Sequence, residues 1–375
     1  MKKIGIITYH AAYNYGSALQ AYATQKVVEE ITNQPVQIIN YRPREQKRVY
    51  SLYRTMHGPR IYMEDLSLLP LHNKRKKRKL RFESFFSMYM NLSKKVDSYE
   101  KFKDFYNDYD VIISGSDQIW NKHSLELENV AWEEMYPYLL KDYMGKKISY
   151  ASSIGNMSEE ELEKIIQYIE QFHSVSCREA TSADRIARIT SKKPIPVLDP
   201  TFLLEKEQWT SLLDLKTVDD KYILFYGLGG IGYLSRVLKI LNPYCKQNGL
   251  KLKIVMPYAF LPFQGENVIF CTDAGPIEFL NLIKNAKIVI TNSYHGTILS
   301  VNFHKDIYSI CGNSGSEFRK TELLKKIGLE DRIINKPSDF CNCLNSIINY
   351  EIVENCISGL RKKSKKYLED AIKRK

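Results

Sequence analysis

The chain has no stretch of about 18 consecutive apolar residues among its 375, so no membrane-spanning helix is expected. No internal repeat or low-complexity linker occurs, which argues against a solenoid or a flexible array. Cysteine is sparse and unpatterned. The seven (Cys177, Cys245, Cys271, Cys311, Cys341, Cys343 and Cys356) are odd in number and scattered, without a CxxC pair. Cys341-x-Cys343 lacks the spacing of a zinc site, so neither a disulfide framework nor a metal finger is expected. The first ten residues imitate a signal peptide only briefly. Their apolar run is too short and has no small-residue cleavage site, so they read as a first strand of a protein in the reducing cytoplasm.

Hydrophobic content of 44% and aromatic content of 12% are globular values, and the length points to two domains. The net charge of +12 is uneven, concentrated in Lys74-Arg-Lys-Lys-Arg-Lys-Leu-Arg81 and in Arg361 to Lys375. Such blocks suit an anionic lipid surface, nucleic acid or a polyanionic substrate, and they equally suit a solvated helix face. The first block runs into Phe82-Glu-Ser-Phe-Phe-Ser-Met-Tyr-Met-Asn-Leu92, a pattern for an interfacial helix or one packed on its own domain.

Strand and helix patterns alternate twice. In the first half, strands are read at 3–9, 35–40, 110–114, 147–151, 174–177 and 196–198. Helices are read at 17–31, near 74–90 and 97–107, at 158–172 and at 180–189. Ser158 with Glu161 forms a capping box. In the second half, strands are read at 222–226, 252–256, 268–271, 287–290 and 307–310, with helices at 233–247, 275–285 and 297–303. This predicts an α/β protein of two Rossmann-like domains facing a central cleft, 1–205 and 206–345, with a C-terminal helix at 346–375.

Polar bursts follow several buried strands, the places where open α/β sheets bind ligands. Thr291-Asn-Ser-Tyr-His-Gly-Thr297 sets His295 at a helix start, where free N–H groups attract anions and an imidazole can move a proton. The alternative is a capped turn in which His295 only fills space. His10-Ala-Ala-Tyr-Asn-Tyr-Gly-Ser17 offers Asn14, Gly16 and Ser17 as an anion or carbohydrate cradle, or as an ordinary βα turn. Ser114-Gly-Ser-Asp-Gln-Ile-Trp-Asn121 sets Asp117 and Gln118 at a strand end, with Trp120 stacking on sugar or filling the core. Arg178 stands just past a strand, suited to phosphate or carboxylate, or to a salt bridge with Glu179. Asp108-x-Asp110 precedes its strand and is set aside as a metal motif. Gly227-Leu-Gly-Gly-Ile-Gly232 matches a dinucleotide fingerprint in form only, because the next strand ends without an acid.

Taken together, these motifs resemble the polysaccharide pyruvyl transferase family. The matching pieces are Tyr13 to Tyr22, Ser114 to Asn121, Tyr150-Ala-Ser-Ser-Ile-Gly155, Val175 to Glu179, Val197-Leu-Asp-Pro-Thr-Phe202, and Pro276-Ile-Glu-Phe279 leading into Thr291 to Thr297. The resemblance implies a fold like that of GT-B glycosyltransferases. It also implies transfer of a pyruvyl group from phosphoenolpyruvate to a sugar of a cell-surface polysaccharide or its lipid-linked precursor, forming a ketal. On this reading His295 contacts the phosphate or acts as acid, and Arg178 holds donor anions. Asp117 and Asn14 meet acceptor hydroxyls beside Gln118, Gly16 and Ser17, and Ser293 and Gly296 line the donor side. No metal or redox cofactor is required and no nucleic-acid partner is expected. The place implied is the cytoplasm, with peripheral contact to the anionic inner face of the membrane open to it.

One departure stands out. Many family members carry Arg-Leu-His where this chain has Ser293-Tyr294-His295, and Arg319 is the candidate replacement for the absent arginine. The departure leaves two alternatives: a GT-B glycosyltransferase using a nucleotide sugar, or a non-catalytic binding protein acting through its basic blocks.

Overall fold

A computed structural model describes residues 2–52, 66, 68–128, 130–262, 265–312, 318–342 and 347–374. Cys343 and the polar stretch 313–317 before Arg319 lie outside the described residues, as does 53–65 of the irregular basic region. The chain divides into two compact units. Unit 1 comprises Met1–Ser51, Phe86–Leu204 and Ser358–Lys375, and unit 2 comprises Leu52–Phe85 and Glu205–Ile357. These differ from the expected domains in two places: residues 52–85 group with unit 2, and the C-terminal helix is divided. Ion pairs accompany the first. Arg81 reaches Asp273 and Glu278 at 2.9 Å each, and Lys77 reaches Asp273 at 3.2 Å. Part of the basic block is therefore engaged inside unit 2.

Unit 1 runs β1 (Ile4–Ile7), α1 (Tyr15–Thr32), β2 (Gln37–Ile38) and α2 (Arg44–Val49), then α3 (His72–Tyr89), of which only the end belongs here. It continues α4 (Tyr99–Phe105), β3 (Val111–Ser114), β4 (Lys146–Ser149), α5 (Glu159–Ile169), β5 (Ser176–Cys177), α6 (Ala180–Ile189) and β6 (Ile195–Pro196). β1 and β3 are short runs rich in Ile and Val, buried along their whole length, as strands covered on both faces must be. They pair in parallel, Ile7 opposite Ser114, in a sheet of order β2-β1-β3-β4. The parallel pair β5-β6 extends this through single bridges from Ile148 to Ser174 and from Ser152 to Cys177. The Ser158–Glu161 capping box opens α5 as expected. Trp120 is core: it is fully buried, donates its indole N–H to the Tyr138 carbonyl and meets Phe172 edge-on.

Unit 2 runs α7 (Lys206–Leu212), β7 (Tyr222–Tyr226), α8 (Ile231–Gln247), β8 (Lys251–Val255), β9 (Val268–Phe270) and α9 (Pro276–Asn285). It continues β10 (Ile288–Thr291), α10 (Tyr294–Asn302), β11 (Asp306–Ile310), α11 (Phe318–Lys326), β12 (Ile333–Ile334) and α12 (Tyr350–Lys373). The six parallel strands lie in the order β9-β8-β7-β10-β11-β12. Counted within the unit this is 3-2-1-4-5-6, the doubly wound Rossmann order. Its core joins Ile223, Phe225, Ile254, Ile288 and Ile290 of the sheet to Leu234, Val237 and Leu241 of α8. α12 begins in unit 2, where Tyr350 donates to the Lys305 carbonyl. It ends in unit 1, where Arg361 donates to the Phe202 carbonyl and Tyr367 to that of Ser149.

Candidate functional site

In both sheets the strand order reverses at one point, β1/β3 in unit 1 and β7/β10 in unit 2. Loops leaving the carboxyl ends of those strands diverge there and leave a ligand crevice. The sequence-selected residues gather at these two places.

In unit 1 the loops after β1 and β3 are tied together by buried polar groups. Gln20 donates to Thr8 Oγ1 at 2.7 Å and accepts from the Ser116 N–H at 3.2 Å, while Thr8 donates to the Ser116 carbonyl at 3.0 Å. That lock sets the turn carrying Asp117, whose φ of +77° lies in the left-handed region that Asp tolerates better than most. Gly115, at φ +132°, has no alternative, because a Cβ there would land on the Tyr150 carbonyl.

Asp117 accepts from Ser17 Oγ at 2.8 Å and stands 3.6 Å from the Arg178 guanidinium. Asn14 caps α1 by accepting the Gly16 N–H at 2.9 Å, and Gln118 Oε1 accepts from Asn121. The Arg178 side chain is 1% exposed and is held by Glu179 at 2.9 Å and Asp199 at 3.2 Å as well as by Asp117. Its guanidinium thus sits among three carboxylates. These contacts include the salt bridge with Glu179 that the sequence offered as the alternative for Arg178, joined by Asp199 and Asp117.

Glu126 lies close enough to feel Asp117 and accepts the Tyr50 hydroxyl at 2.5 Å. Burial, with a smaller push from Asp117, raises its carboxyl to about 7, although the Tyr50 hydrogen bond works the other way. A carboxyl titrating near neutrality beside a candidate site is a recognised mark of acid–base function. Sequence reading missed it, and quoted Asp199 only within the motif Val197 to Phe202, without a role.

In unit 2, Ser293 is the N-cap of α10 and accepts the Gly296 N–H at 3.3 Å. His295 follows in the first turn, 8% exposed, with its ring edge-on to Tyr294. Gly296 is required by close approach: a Cβ would lie 2.5 Å from Thr291 Oγ1 and 2.7 Å from the Tyr226 ring. Asn292 clamps the neighbouring loop, accepting the Leu228 N–H at 2.8 Å and donating to its carbonyl at 2.7 Å. The glycine-rich turn after β7 and the histidine turn after β10 are thereby joined across the reversal point. From α11, Lys320 is buried and donates to the carbonyls of Asn292 and Ile310 at 2.7 and 2.6 Å. Its neighbour Arg319 lies 5.5 Å from the Tyr294 ring centroid, which brings the candidate replacement arginine to the histidine motif. Lys320 carried no sequence signal beyond its adjacency to Arg319.

Two Rossmann-like units with polar loops at their reversal points define a GT-B-type fold. Solved structures agree on the fold. The chain aligns over 99% of its length with an O-GlcNAc transferase of Thermobaculum terrenum at 10% identity and TM-score 0.50, covering 66% of that longer chain. It aligns with the UDP-GlcNAc 2-epimerase of Methanocaldococcus jannaschii at 10% identity and TM-score 0.51, covering 96% of this chain and 92% of that one. The UDP-GlcNAc 2-epimerase of Neisseria meningitidis, bound to UDP-GlcNAc, gives 8% identity and TM-score 0.52, with 99% and 94% covered. No curated protein matches by sequence. The polysaccharide pyruvyl transferase family model matches residues 14–309, and the chain belongs to that family of transferases.

Proposed function

We propose that the protein transfers a pyruvyl group from phosphoenolpyruvate to two hydroxyls of a sugar in a cell-surface polysaccharide or its lipid-linked precursor. The donor's methylene carbon takes a proton, one sugar hydroxyl adds at the neighbouring carbon, phosphate leaves, and the second hydroxyl closes the ketal. His295 supplies the proton or holds the phosphate, helped by the first-turn N–H groups of α10. Arg319 pairs with the donor's carboxylate or phosphate in place of the family's absent arginine. Asp117, oriented by Arg178 and Ser17, accepts from an acceptor hydroxyl, with Asn14 and Gln118 beside it. The observation carrying this reading is His295 at the reversal point of a Rossmann sheet in a chain of this family. Unit 1 is then the acceptor side and unit 2 the donor side. The reaction sits in the cytoplasm, and the exposed Lys74 and Lys76 of α3 provide peripheral contact with anionic lipid.

A second reading, a glycosyltransferase using a nucleotide sugar, draws support from Ser293 and Tyr294 standing where other members carry Arg and Leu. Thermal unfolding separates the two. Phosphoenolpyruvate protects the protein on the first reading, and a nucleoside diphosphate or its sugar on the second. Release of inorganic phosphate from phosphoenolpyruvate that depends on added glycan then tests the chemistry. Protection by UDP-sugars alone would sink pyruvyl transfer.

A further inference from the structure

The strands of unit 1 are parallel, so their amino ends form an edge opposite the loops described above. A cavity of about 190 Å³ opens at this edge, with His173, Lys192, Lys193, Tyr367, Asp370 and Arg374 in its lining. It lies beside the starts of β5 and β6, not at a strand reversal point, and no residue assigned above takes part in it.

The cavity is built, not a chance gathering of surface side chains. Tyr367 is buried beneath it and donates to the Ser149 carbonyl at 2.8 Å. The Lys146 ammonium donates to the carbonyls of Ile372, at 3.2 Å, and Arg374, so the end of α12 is pinned to the start of β4. Arg374 is therefore held at the cavity by its own backbone. His173 Nδ1 accepts the Lys147 N–H at 3.2 Å, which leaves Nε2 as the donor nitrogen of the neutral ring.

The electrostatics are one-sided. Asp370 is the single acid in the described lining, and it is already paired with Lys366 at 3.4 Å. Burial, then Lys146 and Lys192, hold His173 below its ordinary value, so its ring stays neutral with Nε2–H available. Burial, then Lys2 and Arg374, lower Lys146 in the same way. Cations crowded this closely repel one another, and an anion among them removes that cost.

We infer that this cavity binds a phosphate-bearing anion through Lys192, Lys193, Arg374 and the His173 Nε2–H. The space is enough for a phosphoryl group. That group is carried either by a soluble phosphate or diphosphate or by a phospholipid headgroup.

The test uses the full chain and two probes. Thermal shift and calorimetry are run with inorganic phosphate and pyrophosphate, and flotation with phosphatidylcholine vesicles with and without phosphatidic acid. The comparison is wild type, the K192E/K193E double variant and His295→Asn. Lys193 is exposed and Lys192 half-buried, so the double variant keeps the fold. Soluble-anion binding that survives in His295→Asn and weakens about tenfold or more in K192E/K193E supports the site for soluble phosphates. Binding only to phosphatidic acid vesicles, lost in the same double variant, supports the headgroup. Equal binding by wild type and K192E/K193E overturns the inference. So does protection lost only in His295→Asn, or no binding to either probe.

Discussion

At the residue scale, His295 carries the largest expected effect. His295→Asn should lower kcat of glycan-dependent phosphate release by about 10²–10⁴-fold, the usual worth of a positioned proton donor, while circular dichroism stays unchanged. Gly296→Ala acts on stability instead. Its Cβ would crowd Thr291 and Tyr226, and overpacking of this kind costs about 1–3 kcal/mol, read as a lower denaturation midpoint. Arg178→Ala should cost more, about 3–5 kcal/mol, because it strands buried carboxylates of Asp199 and Glu179. Glu126 sets a pH dependence. Its folded-state carboxyl, raised from 4.5 to about 7, binds a proton that the unfolded chain has released, so the stability it lends falls as pH rises across that window. Glu126→Gln should flatten that fall; an unchanged stability slope between pH 5 and about 7 would remove Glu126 from the account. Residues of this kind divide by legibility. Asp117 and His295 stand out in the sequence because polar side chains directly after buried strands need a reason to be there. Glu126 does not, and the roles of Asp199 and Gln20, though both lie in quoted motifs, are not readable, since their meaning lies in partners brought to them by the sheet.

At the element scale, the deciding feature is the clamp between the turns after β7 and β10. Asn292→Ala removes both of its hydrogen bonds to Leu228 and should cost about 1–3 kcal/mol, with faster amide exchange in the glycine-rich turn. Strongly periodic or wholly apolar elements were readable from sequence: α6 and β7 begin and end where their patterns do. α2, α7 and α11 were not. α7 is seven residues opened by Glu205, whose N–H is bonded by Gln208, too short for helical periodicity to emerge. α10 starts at Tyr294, three residues earlier than its apolar run suggests, because Ser293 caps it through a polar segment. That shift puts His295 inside the first turn of the helix.

At the scale of the whole molecule, two Rossmann-like units were legible because βα alternation restarts after residue 205, whereas their membership was not. The ion pairs of Arg81 and the reach of α12 join segments distant in sequence, and no local pattern announces them. The division of α12 also bears on how the protein is made. Unit 1 includes Ser358–Lys375, whose Arg361, Leu368 and Ile372 are buried, yet these residues leave the ribosome only after all of unit 2. Domains that fold during synthesis do so as their last segment emerges. Unit 2 can therefore close first, while the earlier-made strands of unit 1 wait, with apolar surface uncovered, for the helix that completes them.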